Sequence, residues 1–291
     1  MGLENLIANS LDLPPDRPYG AILGLAPSQG ARSPVLWRAA FAALGLAADF
    51  HPMDVAPADL SKVIAALRAD PRFIGGAVAV PYKEALLGEL DVVDGLAAEI
   101  GAVNAVRRHP GGGLAGANTD GMAALASLEA AGGSVAGRRV LVLGLGGAGK
   151  AVAVALGRAD AAMAVWNRSI HKARAFAEAA SFPVTVVEDP GTVLAETDVL
   201  VNCTSAGFAA DAQPNDTAPL DLALLARLPA SAMVFDVVYQ PLRTALLCAA
   251  EARGLSILGG KDMNLRQAVI AFGLAFPMAD SSQVQVAMAA V

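Results

Sequence analysis

The sequence predicts an α/β protein with two domains, and three observations lead to that prediction. The chain has 291 residues, which is enough for two packed cores because single cores rarely grow beyond about this length. Short apolar runs alternate with helical patterns almost throughout, as in βαβ units around a mostly parallel sheet. A glycine-rich turn in the second half follows one apolar run and opens a helical pattern. We expect an α/β domain at 1–119, completed by a C-terminal helix within 261–291, and a Rossmann-like domain at 120–260.

The first half of the chain alternates between strand and helix. Ser33 and Pro34 have the chemistry of an N-cap and a first helical residue, so a helix start explains this pair without a ligand. The stretch "AVNAVRRHPGGGLAGANTD" at 102–120 predicts a hairpin, because a glycine-rich turn joins two short strands, and a helix follows at 121–132. The other predicted elements, in order, are strand 19–26, helix 33–46, strand 48–55, helix 58–70 and strand 74–80.

A second series of elements starts at Arg138 and continues almost to the end of the chain. Its last helix, at 264–276, has no strand left in this sheet to cross to, so we expect it to pack back on the first domain. The elements before it are strand 138–144, helix 149–159, strand 161–167, helix 171–180, strand 183–187, strand 198–205, strand 232–239, helix 244–254 and strand 256–260.

Composition and charge exclude several classes of protein. A net charge of −6 and a pI of about 5.1 argue against nucleic acid as a partner, because its binding surfaces need clustered Lys and Arg. The longest apolar stretches, such as 39–48, are about half the length that spans a bilayer, and the first residues do not resemble a signal peptide. Cys203 and Cys248 lack metal-ligand spacing, so we expect reduced cysteines, a cytoplasmic protein and no metal site.

The turn at 144–149 has the chemistry of a dinucleotide-binding loop. Gly144, Gly146 and Gly149 match G-x-G-x-x-G after an apolar strand and at the start of a helix. The glycines let the backbone turn tightly and approach a pyrophosphate, whose charge the helix N-terminus favours. This context predicts dinucleotide binding, with a tight structural turn as the alternative.

The next predicted strand ends in residues that favour NADP over NAD. An NAD-binding fold normally places Asp or Glu at that point, to bind the ribose 2′-hydroxyl. This chain has Arg168, followed by Ser169 and Lys172. These residues supply donors and positive charge for a 2′-phosphate, which an acidic side chain would repel.

Lys83 stands where an apolar strand ends and a helix begins. A dehydrogenase of secondary alcohols must remove the hydroxyl proton as hydride leaves the carbon, and a lysine beside a carboxylate can do this. Asp120, at the end of the predicted hairpin and the start of the second domain, is the carboxylate that we pair with it. The alternatives are a solvated lysine at a helix start and an aspartate that caps a helix.

Four stretches of the first half resemble motifs of the shikimate dehydrogenase family. "PSQGARSP" at 27–34 resembles P-x-x-H-S-x-S-P, and "AVAVPYKE" at 77–84 resembles N-V-T-x-P-x-K. "IGAVNAV" at 100–106 resembles G-A-V-N-T, and "GANTDG" at 116–121 resembles N-T-D-G. The second half matches the family's glycine loop, N-R-T-x-x-R-A, N-x-T-S, D-x-x-Y-x-P-x-x-T-x-L and G-x-x-M-x-x-x-Q-A motifs with "GLGGAGKA", "NRSIHKA", "VNCTSAG", "FDVVYQPLRTALL" and "GKDMNLRQA".

The resemblance implies an NADP-dependent oxidoreductase that interconverts a secondary alcohol and a ketone on a small hydroxylated cyclic acid such as shikimate, in aromatic amino-acid biosynthesis. It implies a substrate domain, an NADP domain and a cleft between them. Lys83 and Asp120 fall on the family's catalytic lysine and aspartate. The implied substrate-binding residues are Asn104 and Gln267 for hydroxyls, and Ser33 and Tyr239 for the carboxylate. The implied cofactor residues are Gly144, Gly146, Gly147, Ala148, Gly149, Asn167, Arg168, Ser169, Lys172, Thr204 and Ser205, with Val237, Gly260 and Met263 lining the nicotinamide.

The chain departs from the family motifs at three alanines. Ala31 stands where the family has serine, Ala77 where it has asparagine and Ala79 where it has threonine. Because losing a hydroxyl that meets a buried polar group costs about 1–3 kcal/mol, we expect a substrate preference that is not simply shikimate. The substrate would be a related acid with fewer hydroxyls, or one bound differently.

Two other functions stay open. The first is quinate dehydrogenase, the enzyme most similar in activity, but its NAD-using forms would carry an acidic residue near Arg168. A non-catalytic ligand sensor of the same fold is the other, although it would not need Lys83 or Asp120, and both are present. We expect a monomer or homodimer, and a polar loop at 209–219 near the nicotinamide.

Overall fold

The computed structural model describes residues 2–209 and 217–291. Its contacts divide the chain into two compact units. The first unit comprises Met1–Thr119 with Leu265–Val291, and the second comprises Asp120–Asn264. The second boundary falls at Asn264 rather than at residue 260, because one continuous helix runs from Gly260 to Ala275 through it.

The first unit contains a mixed sheet with the strand order β2-β1-β3-β5-β6-β4. β1 pairs in parallel with β2 and β3, whereas β5 is antiparallel to β3 and β6, so the predicted hairpin is confirmed. The elements are β1 (Tyr19–Gly24), α1 (Ser33–Ala43), β2 (Asp49–Asp54), α2 (Leu60–Ala69), β3 (Phe73–Val78), α3 (Tyr82–Ala85), β4 (Val92–Val93), α4 (Gly95–Ile100), β5 (Ala105–Arg108) and β6 (Leu114–Ala117).

Helices and loops cover both faces of this sheet. Alternate residues of β1 point to opposite faces: Leu23 packs into one buried cluster with Met53 and Ile64, and Ile22 packs into another with Trp37 and Phe272. Every residue of β1 is buried, which explains its continuous apolar run.

The second unit has a doubly wound parallel sheet with the order β12-β11-β10-β7-β8-β9. The order reverses between β7 and β10, and ligands of such sheets bind at the carboxyl ends of the strands beside that point. The elements are α5 (Asp120–Gly132), β7 (Arg139–Leu143), α6 (Gly147–Arg158), β8 (Ala162–Trp166), α7 (Ile170–Ala179), β9 (Val184–Val186), β10 (Val199–Asn202), β11 (Met233–Asp236), α8 (Ala245–Ala252) and β12 (Ser256–Gly259). The predicted Rossmann-like sheet is therefore confirmed.

Two C-terminal helices follow, α9 (Gly260–Ala275) and α10 (Ser281–Ala289). Beyond Asn264, α9 belongs to the first unit and contributes Ala268, Ala271 and Phe272 to its core. Among the described residues, no helix is long and apolar enough to span a bilayer.

Candidate active site

The glycine loop lies at the carboxyl end of β7, beside the point where the strand order reverses. Gly144 has φ +91°, a conformation that L side chains rarely adopt. A Cβ on Gly149 would lie 2.0 Å from the Gly144 oxygen, so the start of α6 packs directly on the turn. Around Gly146, by contrast, an added Cβ would meet nothing within 4 Å. The loop thus presents an open backbone surface at a helix N-terminus, which fits a pyrophosphate.

Asn167 connects the glycine loop to the basic turn after β8. Its Oδ1 accepts a hydrogen bond from the Leu145 amide at 3.0 Å, and its Nδ2 donates to the Ser169 oxygen at 3.0 Å. Arg168, Ser169 and Lys172 are exposed. Ser169 is the N-cap of α7, but its side chain makes no capping hydrogen bond. The segment therefore presents two cations and a hydroxyl next to the loop, as a 2′-phosphate requires.

The other predicted cofactor residues of the second unit follow its parallel strands. Thr204 and Ser205 follow β10, Val237 follows β11, and Gly260 directly follows β12. Because these strands run parallel to β7 in the same sheet, their carboxyl ends share one edge with the glycine loop. Gly147 and Ala148 lie in the first turn of α6, and Met263 lies in the first turn of α9. Tyr239, which is predicted to bind the substrate carboxylate, follows β11. Within the predicted loop at 209–219, residues 210–216 lie outside the described part of the chain.

In the first unit, Asn104, Thr119 and Gln267 form a hydrogen-bonded cluster. Asn104 Nδ2 donates to Thr119 Oγ1 at 3.0 Å and lies 3.5 Å from Gln267 Oε1. The Thr119 amide donates to Asn104 Oδ1 at 2.8 Å, and Thr119 Oγ1 donates to the Gln267 main-chain oxygen at 3.1 Å. Asn104 precedes β5 and Thr119 follows β6, so the hairpin brings them together and α9 adds the third residue.

A backbone hydrogen bond connects Lys83 to the residue that precedes Asn104 in this cluster. It belongs to the four-residue helix α3, which follows the cis Val80-Pro81 peptide. The Lys83 oxygen accepts a hydrogen bond at 2.7 Å from the amide of Val103, the neighbour of Asn104. The lysine is half-buried, and this hydrogen bond holds its backbone in place.

Asp120 is the first residue of α5 and is buried. Because it follows Thr119 directly, its Cα lies ~3.8 Å from that of a cluster residue. The helix that carries it is packed tightly within the second unit: a Cβ on Gly121 would lie 2.3 Å from the Ala151 oxygen of α6. Asp120 is therefore held on a helix that rests against the helix of the glycine loop.

Ser33 is buried, but it is not the predicted N-cap. Arg32 is the N-cap of α1, and Ser33 is the first helical residue. The first hydrogen bond of the helix forms one residue earlier than expected, because the Leu36 amide donates to the Arg32 oxygen at 3.1 Å.

The three alanines that depart from the family motifs share one environment. Ala77 is buried in the cluster around Trp37 and Phe272, and Ala31 and Ala79 pack against that cluster. Their methyl groups extend an apolar surface and offer no hydrogen bond to a ligand. This part of the first unit is thus apolar where the family motifs have polar side chains.

The sequence interpretation missed two supporting residues. Thr119 lies inside the quoted N-T-D-G stretch but received no role, although it joins Asn104 to Gln267. Asp54, at the end of β2, accepts hydrogen bonds from the Ser28 amide at 2.9 Å and from the Ser28 hydroxyl. An aspartate at the carboxyl end of a predicted strand is the signal that could have found it. No group of three or more His, Cys, Asp or Glu in the described part of the chain could hold a metal ion.

Comparison with known proteins identifies the family. Residues 26–106 match the model described as shikimate dehydrogenase substrate binding domain, and residues 125–210 match the model described as shikimate / quinate 5-dehydrogenase. A curated relative, shikimate dehydrogenase (NADP(+)) of Symbiobacterium thermophilum, is 42% identical over 87% of this chain and 88% of its own.

Solved structures agree with this result. Shikimate 5-dehydrogenase of Thermus thermophilus, in complex with NADP(H) and shikimate, superposes with a TM-score of 0.80 at 34% identity, over 94% of this chain and 99% of its own. Quinate dehydrogenase of Corynebacterium glutamicum, in complex with NAD, gives a TM-score of 0.80 at 30% identity, over 94% and 99% of the two chains. With two matching family models and relatives that span nearly the whole length, this chain belongs to the shikimate dehydrogenase family.

Proposed function

We propose that this chain is an NADP-dependent dehydrogenase that interconverts an alcohol and a ketone on shikimate or a closely related hydroxylated cyclic acid. The observation that carries the proposal is the cluster of Asn104, Thr119 and Gln267, which the hairpin and α9 build beside the Lys83 segment. Buried amides of this kind recognise hydroxyl groups by hydrogen bonds. Two relatives whose names specify NADP support the choice of cofactor.

The second unit has the chemistry that NADP requires. The open backbone at Gly146 and Gly147 would hold the pyrophosphate, and Arg168, Ser169 and Lys172 would hold the 2′-phosphate. NADP, when bound, supplies the acceptor for the hydride that leaves the substrate carbon. Arg168 stands near the point where an NAD-dependent quinate dehydrogenase would carry an acidic side chain, which argues against that activity.

Lys83 and Asp120 would perform the proton transfer. In oxidation, the neutral amine of Lys83 takes the proton of the substrate hydroxyl, and in reduction the ammonium returns it to the developing alkoxide. Asp120 would accept a hydrogen bond from the same hydroxyl or amine and orient it. Asn104 and Gln267 would bind the neighbouring hydroxyls, and Ser33 and Tyr239 the carboxylate. A ligand sensor would need none of this proton chemistry.

Steady-state oxidation of shikimate and quinate with NADP and with NAD tests the proposal. We expect turnover with NADP that falls roughly 10²–10⁴-fold in Lys83→Ala, because general acid–base catalysis contributes this much. Lys62→Ala is the matched control, since Lys62 is an exposed lysine of the same unit that pairs with Asp59 at 2.8 Å. NADP binding without turnover of any cyclic acid, unchanged in Lys83→Ala, would instead indicate a sensor.

An apolar surface favours a second candidate, a substrate with fewer hydroxyls than shikimate. Ala31, Ala77 and Ala79 all contact one apolar cluster, so a polar substituent there would lose its bonds to water without replacement. An assay of 3-dehydroshikimate beside less hydroxylated cyclic keto acids decides between the two. A clear preference for 3-dehydroshikimate would reject the second candidate.

We further propose a cytoplasmic monomer or homodimer. Neither Cys203 nor Cys248 forms a disulfide bond, which fits a reducing compartment. Light scattering on the purified protein measures the oligomeric state directly.

A further inference from the structure

Asp236, the last residue of β11, is a buried carboxyl group for which neither the fold nor the proton transfer above provides a role. Its exposed fraction is 0%. Burial is the main cause that raises its pKa from 3.8 to about 6. Burying a carboxylate among neutral groups costs stability unless its oxygens are hydrogen-bonded, so its contacts should show what it does.

Three neutral donors converge on Asp236. Asn202 Nδ2 and the Val238 amide donate to its Oδ1, at 2.9 and 3.0 Å. Thr244 Oγ1 donates to its Oδ2 at 2.7 Å. The donors come from three segments: the end of β10, the turn after β11 and the N-cap of α8. One side chain therefore fixes the distances between these segments.

The β10 branch leads to the glycine loop. Asn202 Oδ1 accepts from the Thr204 amide at 2.9 Å and from Thr204 Oγ1 at 2.7 Å. Thr204 in turn packs on the loop, since a Cβ on Gly144 would lie 2.8 Å from Thr204 Cγ2. Through Asn202, the carboxylate thus sets the position of the turn that abuts the predicted pyrophosphate site.

The β11 branch leads to the residues predicted to line the nicotinamide. The Val238 oxygen accepts from the Gly260 amide at 3.3 Å, and a Cβ on Gly260 would lie 2.1 Å from the Val237 oxygen. Gly260 starts α9, whose first turn includes Met263. Asp236 is therefore connected, through one intermediate residue on each branch, to both groups of predicted cofactor residues.

We infer that Asp236 is a positioning residue for the cofactor, which holds the Asn202–Thr204 turn and the Val237–Val238 segment at the spacing that the dinucleotide requires. This inference rests on the proposed function, because it takes NADP as the ligand of the second unit. Asp236 acts through its three donors and not by contact with the substrate.

Direct binding of NADP to matched variants tests the inference. Asp236→Asn keeps the size of the side chain but has one acceptor oxygen for three donors. Thr244→Val removes one donor, and Thr244→Ser restores it. The control is Thr197→Val, since Thr197 is also buried and its Oγ1 donates to the Val193 oxygen at 3.0 Å, but at the amino end of β10. The probes are NADP and adenosine 2′,5′-bisphosphate, which lacks the nicotinamide.

We expect the Kd of NADP to rise about tenfold in Asp236→Asn and Thr244→Val, as for the loss of one buried hydrogen bond. Thr244→Ser should bind like the wild type. Adenosine 2′,5′-bisphosphate, which lacks the nicotinamide half of NADP, should lose less affinity than NADP in the two weakened variants. Thr197→Val should lower the melting temperature without a change in the Kd of NADP.

Two other results would overturn the inference in different ways. Unchanged NADP binding in Asp236→Asn and Thr244→Val, at temperatures where both are folded, would make Asp236 a purely structural residue and leave the proposed function intact. A wild-type protein that binds no NADP would overturn the proposed function and this inference together.

Discussion

At the scale of single residues, hydrogen bonds to uncharged partners hold several side chains of the candidate site. The contacts of Asn104, Asn167 and Asp236 with uncharged partners are 2.7–3.5 Å long. Ion pairs such as that of Arg38 with Asp49 involve partly exposed side chains, where each pair contributes about 0–1 kcal/mol. These hydrogen bonds should therefore depend little on ionic strength, in contrast to the attraction of the cofactor's phosphates.

The glycine loop gives a prediction that separates folding from binding. In Gly149→Ala the new methyl group would lie 2.0 Å from the Gly144 oxygen, a backbone atom that must shift. Such overpacking costs about 1–3 kcal/mol. In Gly146→Ala the methyl meets nothing within 4 Å and φ is −77°, so the fold accepts it. We expect both variants to bind NADP more weakly, but only Gly149→Ala to lose substantial stability.

Urea unfolding and NADP titration of the two variants check this prediction. Gly273→Ala is the control, because it lies within α9, and an added Cβ there meets nothing within 4 Å. If Gly146→Ala bound NADP as well as the wild type does, the backbone at Gly146 would not be part of the pyrophosphate site.

Replacing Ala79 by the threonine of the family motif should raise the activity toward shikimate. Ala79→Thr places a hydroxyl on a half-buried residue that now adds only a methyl to the apolar surface. If shikimate binds there with an unpaired hydroxyl, kcat/KM for shikimate should rise about tenfold, as expected for one new hydrogen bond. Ala85→Thr, an exposed position in α3, is the control. A fall in shikimate turnover with unchanged melting would show that the substrate is held elsewhere.

At the scale of elements, the long strands and helices could be predicted from the sequence and the short ones could not. β1 has six buried residues, β7 has four buried apolar residues after Arg139, and α6 begins at a recognisable glycine turn. By contrast, β4 has two residues and α4 has six, which is too short for a periodic pattern to stand out. The hydrogen bond between Asn104 and Gln267 could not be predicted from the sequence either, because it depends on where α9 packs in the core.

The Asn104 cluster predicts an effect confined to the acid substrate. Thr119→Val keeps the shape of the side chain but loses the hydrogen bonds of Oγ1 with Asn104 and with the Gln267 oxygen. Both of these hydrogen bonds lie within the first unit. KM for the hydroxy acid should therefore rise several-fold while the Kd of NADP stays the same. Thr119→Ser should recover the wild-type KM. An equal loss in both ligands would mean that Thr119 only stabilises the fold.

At the scale of the whole molecule, the two units provide separate optical probes. The chain has two tryptophans: Trp37 lies in the core of the first unit, and Trp166 lies at the end of β8 in the second. Fluorescence of a Trp166→Phe variant therefore reports unfolding of the first unit, and that of a Trp37→Phe variant reports the second.

These probes test a pH dependence of opposite sign in the two units. In the first unit, burial is the main cause that lowers the pKa of His51 below 6.5, against the opposing effect of the Asp49 carboxylate at 3.7 Å. The unfolded chain then binds more protons than the native one below about 6.5, so the free energy of unfolding falls as the pH decreases. Urea unfolding of Trp166→Phe at pH 7, 6 and 5 should show this loss, and His51→Gln should remove it.

In the second unit the sign reverses. The pKa of Asp236 is raised from 3.8 to about 6, so the native state binds more protons than the unfolded state between these values. The corresponding stability, roughly 3 kcal/mol, is present at low pH and is lost as the pH rises through about 6. Carboxyl groups with lowered pKa values, such as that of Asp198, change the free energy of unfolding only nearer pH 4 and below. Between pH 7 and pH 5 the second unit should therefore become more stable while the first becomes less stable, and Asp236→Asn in the Trp37→Phe background should abolish the gain. A second unit that weakens in parallel with the first would mean that Asp236 remains ionised at pH 5, with its three donors compensating fully for its burial.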